Sequence, residues 1–546
     1  MFVPYPVSIA MTEHHFSPVA DVLLQTPLLR GPGAEPLQRQ LLQRLRSAIW
    51  AGRLPAGCRL PGSRALAVDL AVSRNSVTAV YEQLGAEGYI EPSRQGTRVA
   101  ALGRGNAPAL AEPLRRATRV GLAAGDAGQA LGHAGHAGQM AERVARVRPG
   151  PAATMTPATM GAAPGGAQAF RPGVPALARF PMSAWKRSVD RAYQRGGVSA
   201  LGYGDPAGEP ALRQALSHHL AVARGVLCTP EQVVITEGAQ EALALCVRLV
   251  ANPGDTAWLE DPGYRGAQTA FACGDMKLVP MPVDGAGLAV PEGAWAAQPP
   301  RLVYTSPSHQ YPTGAVLSAA RRLALIQQAQ RHGAWLIEDD YDSEFRHAGE
   351  LIGAMQGLQP GAPVLYVGTF SKTLFPALRL GFVVLPATLA AQAHTLLHET
   401  LRGGHRFEQL ALADFIDTGQ FTRHLGRMRR LYRRRQQALR QALAQHLAVP
   451  HQVLGGDSGM HLTVQLPPDC PDTALAEAAC AYDMAPAPLS RFALLPRPGC
   501  NGLVLGYGNT SESQYPALVQ RLSALALQAL QAGPQPVGVG MKPAER

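Results

Sequence analysis

The chain has 546 residues, more than one ordinary hydrophobic core accommodates, so at least two domains are expected. Its hydrophobic fraction of 46% is typical of a folded protein, and neither a membrane span of ~18 apolar residues nor a secretion signal is predicted. The net charge of +11 favours an anionic partner, and seven scattered cysteines without a C-x-x-C pair favour free thiols in a reducing cytoplasm over disulfides or a zinc site.

Composition divides the chain into segments. Between two regions of regular hydrophobic pattern, the sequence is rich in Ala, Gly and Pro and cannot bury enough apolar surface to fold. We therefore predict a disordered tail at 1–30, a small helical domain at 31–101, a flexible linker at 102–168, an α/β domain at 169–532 and a disordered tail at 533–546.

The small domain has the pattern of two capped helices followed by a hairpin. Ser63 and Ser73 suit N-capping positions, and the second helix has a stripe of apolar residues that predicts a buried face. Its first turns carry, off that stripe, Arg74, Asn75, Ser76 and Thr78. In a helix–turn–helix, this is where the recognition helix presents side chains to the major groove of DNA.

The predicted hairpin is basic around its turn. Gly96 suits the turn, Arg94 and Arg98 flank it, and residues 36–100 hold nine arginines against four acids. A solvated accessory domain is the alternative, and single arginines contact phosphates more often than bases, but the combination favours DNA binding. The segment "RLPGSRALAVDLAVSRNSVTAVYEQLGAEGYI" closely resembles the GntR-type winged helix–turn–helix. The resemblance implies operator contacts by Arg64, Arg74, Ser76 and Thr78 and a wing that includes Gly96 and Thr97.

The second domain alternates short apolar strands with helical segments. The strand-like runs are "QVVITEG", "TAWLEDPG", "RLVYTSPS", "AWLIEDD" and "VLYVGTFS". This order predicts parallel strands joined by crossover helices, hence an α/β fold. Loops at the carboxyl ends of such strands form ligand crevices.

One lysine follows such a strand end. The chain has four lysines among its 50 cationic residues, and Lys372 lies directly after "VLYVGTFS". An arginine serves equally well as a surface charge, but only a lysine amine can lose its proton and attack a carbonyl. A single lysine at this position is most often a solvated strand end, so the neighbouring loops decide its meaning.

Three further strand ends carry groups that suit a phosphorylated planar cofactor. Backbone N–H groups of residues 238–240 at a helix start suit an anion, and Tyr264 suits stacking on a ring. The carboxylates of "LIEDDYDSEFR" suit a protonated pyridine nitrogen. With Lys372 and Arg379, they predict a pyridoxal 5′-phosphate (PLP) site.

Residues 170–532 resemble a fold-type I aminotransferase, and joined to the winged helix they resemble a MocR/GabR-type regulator. The resemblance implies that Lys372 forms the internal aldimine, that Asp339 pairs with the pyridine nitrogen and that Tyr341 hydrogen-bonds the ring hydroxyl. It also implies that Tyr264 stacks on the ring. The residues implied around the phosphate are Gly238, Ala239, Gln240, Thr369, Ser371 and Arg379, with Tyr203 from the second subunit of a dimer.

The resemblance extends to effector contacts. Arg491 of "SRF" matches the arginine that binds a substrate α-carboxylate, and Arg265 is a weaker candidate for the distal end. His309 suits either an effector contact or a structural role. In "SPSHQYPTG", Tyr311 stands where aminotransferases of this fold have an asparagine, a difference that favours the regulator branch.

The segment "RHLGRMRRLYRRRQQALR" (423–440) carries eight arginines on a predicted helix. A solvated face is the preferred interpretation, and a second DNA-contacting surface is the alternative.

The sequence therefore predicts a cytoplasmic, PLP-dependent transcription regulator that senses an amine or amino acid by aldimine exchange at Lys372. Its predicted partners are operator DNA, the effector and a second copy in a head-to-tail, domain-swapped homodimer, with no membrane and no metal. Two alternatives stay open: an active aminotransferase that carries a DNA-binding domain, and a DNA-binding protein whose large domain only dimerises.

Overall fold

The structure is a computed structural model that describes residues 19, 28–31, 36–86, 89–93, 96–100, 168–347, 353–400 and 403–532. It divides into a small unit within Met1–Ala134 and a large unit within Gly135–Arg546. The predicted linker up to residue 167, the predicted C-terminal tail and Arg94 lie outside the described residues. In the described ranges, no helix combines the length and apolar character needed to cross a bilayer.

The small unit consists of three helices and a hairpin. Its elements are α1 (Leu37–Trp50), α2 (Ser63–Asp69), α3 (Arg74–Ala86), β1 (Ile90–Ser93) and β2 (Gly96–Val99). The two strands pair antiparallel, with Ser93 opposite Gly96 at the turn. Leu66, Val77 and Leu84 are fully buried in one core. The predicted helix–turn–helix followed by a hairpin is confirmed.

The two helices of the helix–turn–helix begin differently. Ser73 Oγ accepts a hydrogen bond from the Ser76 N–H at 3.0 Å and caps α3 as predicted. The predicted cap at Ser63 is wrong by one position, because α2 begins at Ser63 itself. Gly62 holds the capping position, and its carbonyl accepts a hydrogen bond from the Leu66 N–H.

The large unit is built around an eight-stranded mixed sheet. Its strands are β3 (Val233–Thr236), β4 (Thr256–Asp261), β5 (Lys277–Asp284), β6 (Gly287–Leu288), β7 (Leu302–Thr305), β8 (Trp335–Asp340), β9 (Val364–Thr369) and β10 (Gly381–Val384). They follow the order β3-β10-β9-β8-β7-β4-β5-β6. Strands β9, β8, β7, β4 and β5 are parallel, as predicted, whereas β10 is antiparallel to both of its neighbours.

Helices cover both faces of this sheet. They are α4 (Met182–Gly196), α5 (Pro210–Arg224), α6 (Ala239–Val250), α7 (Arg265–Cys273), α8 (Ala294–Ala297), α9 (Ala319–His332), α10 (Ala387–Thr400), α11 (Arg406–Asp417) and α12 (Gln420–His446). Along β3, Val233 and Ile235 belong to one buried core and Val234 to another. A strand with a core on each side reads as continuously apolar, which is why "QVVITEG" shows no polar alternation.

A second, smaller sheet follows α12. Its strands β11 (Gln452–Leu454), β12 (His461–Gln465), β13 (Ala487–Pro488) and β14 (Gly502–Gly506) are antiparallel in the order β11-β12-β14-β13. Helices α13 (Asp472–Cys480) and α14 (Tyr515–Ala532) complete this part. Phe170 bridges to Gly506 of β14, so the chain entering the large unit joins this sheet.

Candidate cofactor site

A cavity of about 340 Å³ lies where the carboxyl ends of β7, β8 and β9 meet β12 and the segment 172–173. The predicted cofactor residues that line it are Ala239, Gln240, Tyr264, Asp339, Tyr341, Thr369, Ser371, Lys372 and Arg379. They lie on loops far apart in the chain, and the parallel strands bring these loops to one edge of the sheet.

Lys372 lies on the loop that follows β9. Its Nζ donates a hydrogen bond to the carbonyl oxygen of Gly173 at 2.9 Å. Burial lowers the pKa of Lys372, although the negative charges of Asp342 and Asp339 act in the opposite direction. The cavity wall therefore favours the neutral amine more than water does, which is the form a nucleophile requires.

Asp339 is the carboxylate of β8 that faces the cavity. Its Oδ2 accepts a hydrogen bond from the Tyr304 hydroxyl at 2.6 Å, and its Oδ1 has no hydrogen-bond partner among the described residues. Burial raises the pKa of Asp339 to about 7, although the bond from Tyr304 acts to lower it. Because an unpartnered buried carboxylate oxygen is costly, Oδ1 marks a position for a cationic or proton-bearing group.

The neighbouring acids of β8 serve the fold. Successive side chains of a strand alternate between its two faces, so Glu338 and Asp340 point away from Asp339. Glu338 accepts a hydrogen bond from the Met355 N–H at 2.9 Å. Asp340 forms a buried ion pair with Arg224, at 2.7 Å between Oδ2 and Nε. Strand alternation thus singles out Asp339 for the cavity.

A helix start and a guanidinium form one end of the cavity. Helix α6 begins at Ala239, and its first N–H groups have no acceptor within the helix. Arg379 Nη2 donates to the Glu237 carbonyl at 2.7 Å, beside this helix start. Gly238 has φ +89°, and a Cβ at this position would lie 3.0 Å from Arg379 Nη2. Because residue 238 is a glycine, the Arg379 guanidinium can lie close to the N–H groups at the start of α6. N–H groups and a guanidinium that point to one place suit the binding of a phosphate.

Tyr264 forms an aromatic side of the cavity. It directly precedes α7, and its ring lies so close to Gly266 that a Cβ there would be 2.3 Å from the ring atom Cε1. Burial raises the pKa of Tyr264 to about 12, so the ring carries no charge at neutral pH. The ring of Tyr311 meets it edge-on, with 6.2 Å between centroids. This side of the cavity suits stacking with a planar ring.

Tyr341 is held from behind by a histidine–carboxylate pair. Its hydroxyl donates to the carbonyl oxygen of His309 at 2.9 Å and lies 3.0 Å from His309 Nδ1. The same Nδ1 lies 2.9 Å from Asp342 Oδ1. His309 is buried, with the ring of His461 at 4.7 Å between centroids. The structure thus places His309 behind Tyr341 and outside the cavity lining.

Four other predicted residues, Gly238, Tyr203, Arg265 and Arg491, also lie outside the cavity lining. Tyr203 is 86% exposed. Arg491 Nη2 lies 3.4 Å from Glu477 Oε1, and the Arg491 carbonyl accepts a hydrogen bond from Arg265 Nη1 at 3.0 Å. Arg491 and Arg265, although far apart in the chain, are therefore neighbours beside the cavity, whereas Tyr203 faces solvent.

The predicted DNA-contacting residues lie on the surface of the small unit. Arg64, Arg74, Asn75 and Gly96 are exposed, and Ser76, Thr78 and Thr97 are half-buried. The Ser76 hydroxyl lies 2.8 Å from the hydroxyl of Ser73, within the cap of α3. Sequence reasoning did not single out Arg59, whose Nε lies 3.4 Å from the position that a Cβ on Gly96 would take, beside the turn of the hairpin.

Known proteins match both units. Residues 37–99 match the model of bacterial regulatory proteins of the gntR family, and residues 175–487 match the model of aminotransferase class I and II. The chain is 39% identical, over 86% of its length and 90% of the relative, to the probable rhizopine catabolism regulatory protein MocR of Rhizobium meliloti. The chain belongs to the MocR-type regulators of the GntR family.

Further comparisons agree with this family. The chain is 31% identical to the uncharacterized HTH-type transcriptional regulator YhdI of Bacillus subtilis, over 91% of this chain and 97% of the relative. The large unit of this MocR-type regulator is similar to a solved structure of LysN, an α-aminoadipate aminotransferase from Thermus thermophilus. The TM-score is 0.64 and the identity 25%, over 72% of this chain and 98% of that chain. LysN is complexed there with N-(5′-phosphopyridoxyl)-L-leucine. The predicted aminotransferase-like fold is confirmed.

The MocR-type site also contains residues that sequence reasoning did not single out. They are Pro172, Gly173, Tyr304, Asp342, Pro376, Met460 and His461. Asp342 lies two residues after β8, so its position just beyond a strand end was a usable signal. Tyr304 lies within β7 and had no such signal. Met460 and His461 come from the smaller sheet, and no local pattern points from that sheet to Lys372.

Proposed function

We propose that this protein regulates transcription in the cytoplasm: its small unit binds operator DNA, and its large unit senses an amine or amino acid with PLP held at Lys372. One observation carries the sensing part. A single cavity contains Lys372, whose pKa burial lowers, and Asp339, whose Oδ1 has no partner among the described residues. An amine nucleophile opposite an unsatisfied carboxylate suits a cofactor with an aldehyde and a protonated ring nitrogen.

The cavity residues fit each part of PLP. A protonated ring nitrogen satisfies Asp339 Oδ1, the one oxygen of that carboxylate that Tyr304 leaves open. The start of α6 and Arg379 hold the phosphate, and Tyr264 covers a face of the ring. A volume of about 340 Å³ is in the range of ordinary cofactor sites.

The protein's own groups divide the work. When bound, PLP supplies an aldehyde that condenses with amines and a ring that delocalises charge. Lys372 supplies the resident amine, and an effector amine competes with it. Displaced Lys372 has the Gly173 carbonyl as an acceptor for Nζ. Asp339 holds the proton on the ring nitrogen. The Tyr341 hydroxyl, which donates its proton to the His309 carbonyl, is left to accept a hydrogen bond from the ring hydroxyl.

The carboxylate of an amino-acid effector is assigned to Arg491. Its partner Glu477 is 73% exposed and 3.4 Å away, and such exposed pairs contribute little. A bidentate carboxylate is a stronger partner for a guanidinium. Arg265, at the start of α7, donates to the Arg491 carbonyl and so positions the segment that carries Arg491, and His309 acts through Tyr341.

A homodimer is part of the proposal. Six of the fifteen large hydrophobic residues that are exposed among the described residues lie within 177–203. They are Leu177, Met182, Tyr193, Val198, Leu201 and Tyr203. Clustered exposed apolar residues mark interaction sites. A second copy that covers the part of this segment from Tyr193 to Tyr203, and leaves Arg179 open to solvent, brings Tyr203 toward the cavity of its partner, in the head-to-tail arrangement.

The test of the proposal is spectroscopic. Protein supplied with PLP is expected to show a visible absorption band that Lys372→Ala removes and that Lys277→Ala, at an exposed lysine of β5, retains. Borohydride reduction followed by peptide mass mapping is expected to place the adduct on Lys372. Effector amino acids are expected to change both the band and the operator affinity in one event, without turnover.

Other outcomes discriminate between the alternatives. A colourless wild-type protein, or an adduct elsewhere, contradicts sensing through Lys372. Repeated turnover of amino acid with a keto acid indicates an aminotransferase. Arg74→Ala is expected to weaken operator binding and to retain the visible band, and unchanged DNA binding contradicts the assignment of α3 as the recognition helix.

A further inference from the structure

Helix α12 has eight arginines and no acidic residue in 27 positions. Arg423 donates to the backbone carbonyls of residues 418 and 419 at the start of the helix, and the structure separates the other seven arginines into two groups. Arg429, Arg435 and Arg440 turn inward and donate to the backbone carbonyls of residues 344, 508 and 455. These three contacts hold the helix against the rest of the large unit. Packing within the large unit therefore accounts for these three arginines, but it does not account for the arginines that face solvent.

The outward group forms a continuous basic surface. We define the arginine face as Arg427, Arg430, Arg433 and Arg434 of α12 together with Arg179, all exposed. Four of them surround a shallow depression of about 380 Å³ whose floor is Pro181, Met428 and Leu431. Among the described residues, the one acid within ion-pair distance of this face is Glu512, at 3.2 Å from Arg434.

Clustered like charges need a counter-charge. Burial lowers the pKa of His424 to about 4, and the charge of the nearby Arg427 acts in the same direction, against the hydrogen bond with the Thr373 carbonyl. Arg427, Arg430 and Arg434 follow the i, i+3, i+7 spacing of one helix side, so their Cα atoms extend over about 10 Å. A row of this length with open guanidinium groups matches a chain of phosphates better than a single small anion.

We infer that the arginine face binds the phosphate backbone of DNA that flanks the operator bases contacted by α3. This inference rests on the proposed DNA binding of the small unit. A flexible chain of the length predicted for the linker, residues 102–168, has a typical end-to-end distance on the order of 45 Å. A linker with this reach would allow the large unit to contact the same duplex. The arginine face does not recognise the base sequence of the DNA. It adds affinity and salt dependence to binding that the small unit specifies.

The experiment compares two duplexes with full-length protein. One duplex holds only the operator. The other adds about 25 base pairs of flanking sequence on each side, so that the flanking DNA can extend to the arginine face. The variant Arg427→Gln, Arg430→Gln, Arg433→Gln removes three charges of the arginine face. The control Arg248→Gln, Arg331→Gln, Arg521→Gln removes three exposed arginines from other helices. Affinities are measured over a salt series.

The expected result is specific to the long duplex. Wild-type protein and the control bind the long duplex more tightly than the short one. The face variant loses ~10-fold or more of its affinity for the long duplex at low salt, and the slope of log K against log salt falls by roughly 2–3. Binding to the short duplex stays unchanged. The lysine variant Arg427→Lys, Arg430→Lys, Arg433→Lys is expected to retain most of the slope, because phosphate contacts need mainly the charge.

Failure of this inference differs from failure of the proposed function. If wild-type protein binds the operator specifically but the face variant keeps the full long-duplex affinity and slope, the inference is overturned. An equal loss on both duplexes also overturns it, because the effect then does not depend on flanking DNA. If wild-type protein does not distinguish operator from scrambled DNA, the proposed DNA binding itself fails. The visible band and the far-ultraviolet circular dichroism spectrum report whether the face variant is folded. If the face variant does not fold, the lysine variant provides a second test of the inference.

Discussion

At the scale of single residues, the cavity is a place where charge is concentrated and only partly compensated. Lys372 faces two carboxylates, Asp339 and Asp342, which raise its pKa against the effect of burial. Asp339 has one oxygen bonded to Tyr304 and the other without a partner in the described residues. Without its cofactor, the protein therefore bears the cost of a buried carboxylate, and this cost depends on pH.

Replacing Asp339 by Asn tests that cost in cofactor-free protein. In the unfolded chain this carboxyl loses its proton near pH 4, but burial raises its folded pKa to about 7. Between these values the folded state holds the extra proton, so stability falls as pH rises, and Asp339→Asn removes this contribution. The variant is expected to gain roughly 2 kcal/mol relative to wild type between pH 5.5 and pH 8.

Urea unfolding followed by tryptophan fluorescence measures this change, because four of the five tryptophans lie in the large unit. Asp190→Asn, at an exposed position of α4, is the matched control and is expected to show no such pH-dependent gain. An equal stability difference for Asp339→Asn at both pH values would mean that Asp339 is ionised in the folded protein at pH 5.5.

At the scale of elements, α3 depends on its first turn. Its exposed face carries Arg74 and Asn75, which gain no stability from packing. The Ser73 hydroxyl accepts the Ser76 N–H and also lies 2.8 Å from the Ser76 hydroxyl. The cap therefore fixes both the start of the helix and the orientation of one predicted DNA-contacting side chain. Loss of this cap affects folding and recognition together.

Ser73→Ala is expected to lower the stability of the small unit by about 1 kcal/mol, because the cap hydrogen bond is lost. For a unit of this size, the change corresponds to roughly 4–8 °C in Tm, measured by scanning calorimetry, and operator affinity is expected to fall as well. Ser73→Asn restores a capping oxygen and is expected to recover both. Ser183→Ala, at an exposed position near the start of α4, provides a serine control. Unchanged Tm and affinity for Ser73→Ala would show that the cap is dispensable.

Elements also explain which parts of the site were predictable. Lys372 and Tyr264 follow strands whose apolar runs are visible in the sequence, and Asp339 lies at the carboxyl end of another such strand. A strand end determines where a side chain meets the sheet edge. Tyr304 has its hydroxyl against Asp339 because β7 and β8 are neighbours, a pairing that the sequence does not encode locally. His461 reaches the cavity from the smaller sheet, so only the tertiary structure could reveal it.

At the scale of the whole molecule, a single chain does not bring every predicted cofactor residue to the cavity. Tyr203 is 86% exposed and does not line the cavity of its own chain. The apolar residues around it, including Val198 and Leu201, are exposed too. The proposed homodimer accounts for both observations, since in it one contact covers the apolar segment and brings Tyr203 to the partner's cavity. Assembly and cofactor binding are then coupled.

Leu201→Glu tests this coupling. Leu201 is 73% exposed in the single chain, and in a two-fold interface the substitution introduces two buried charges. Wild-type protein is expected to sediment at twice the chain mass of 57.8 kDa, and Leu201→Glu is expected to weaken the dimer ~100-fold or more and to lower PLP retention. Val222→Glu, at a 90% exposed position of α5, is the matched control and is expected to leave sedimentation unchanged. A wild-type monomer that retains PLP would contradict the coupling, because Tyr203 would then have no role at a partner's cofactor.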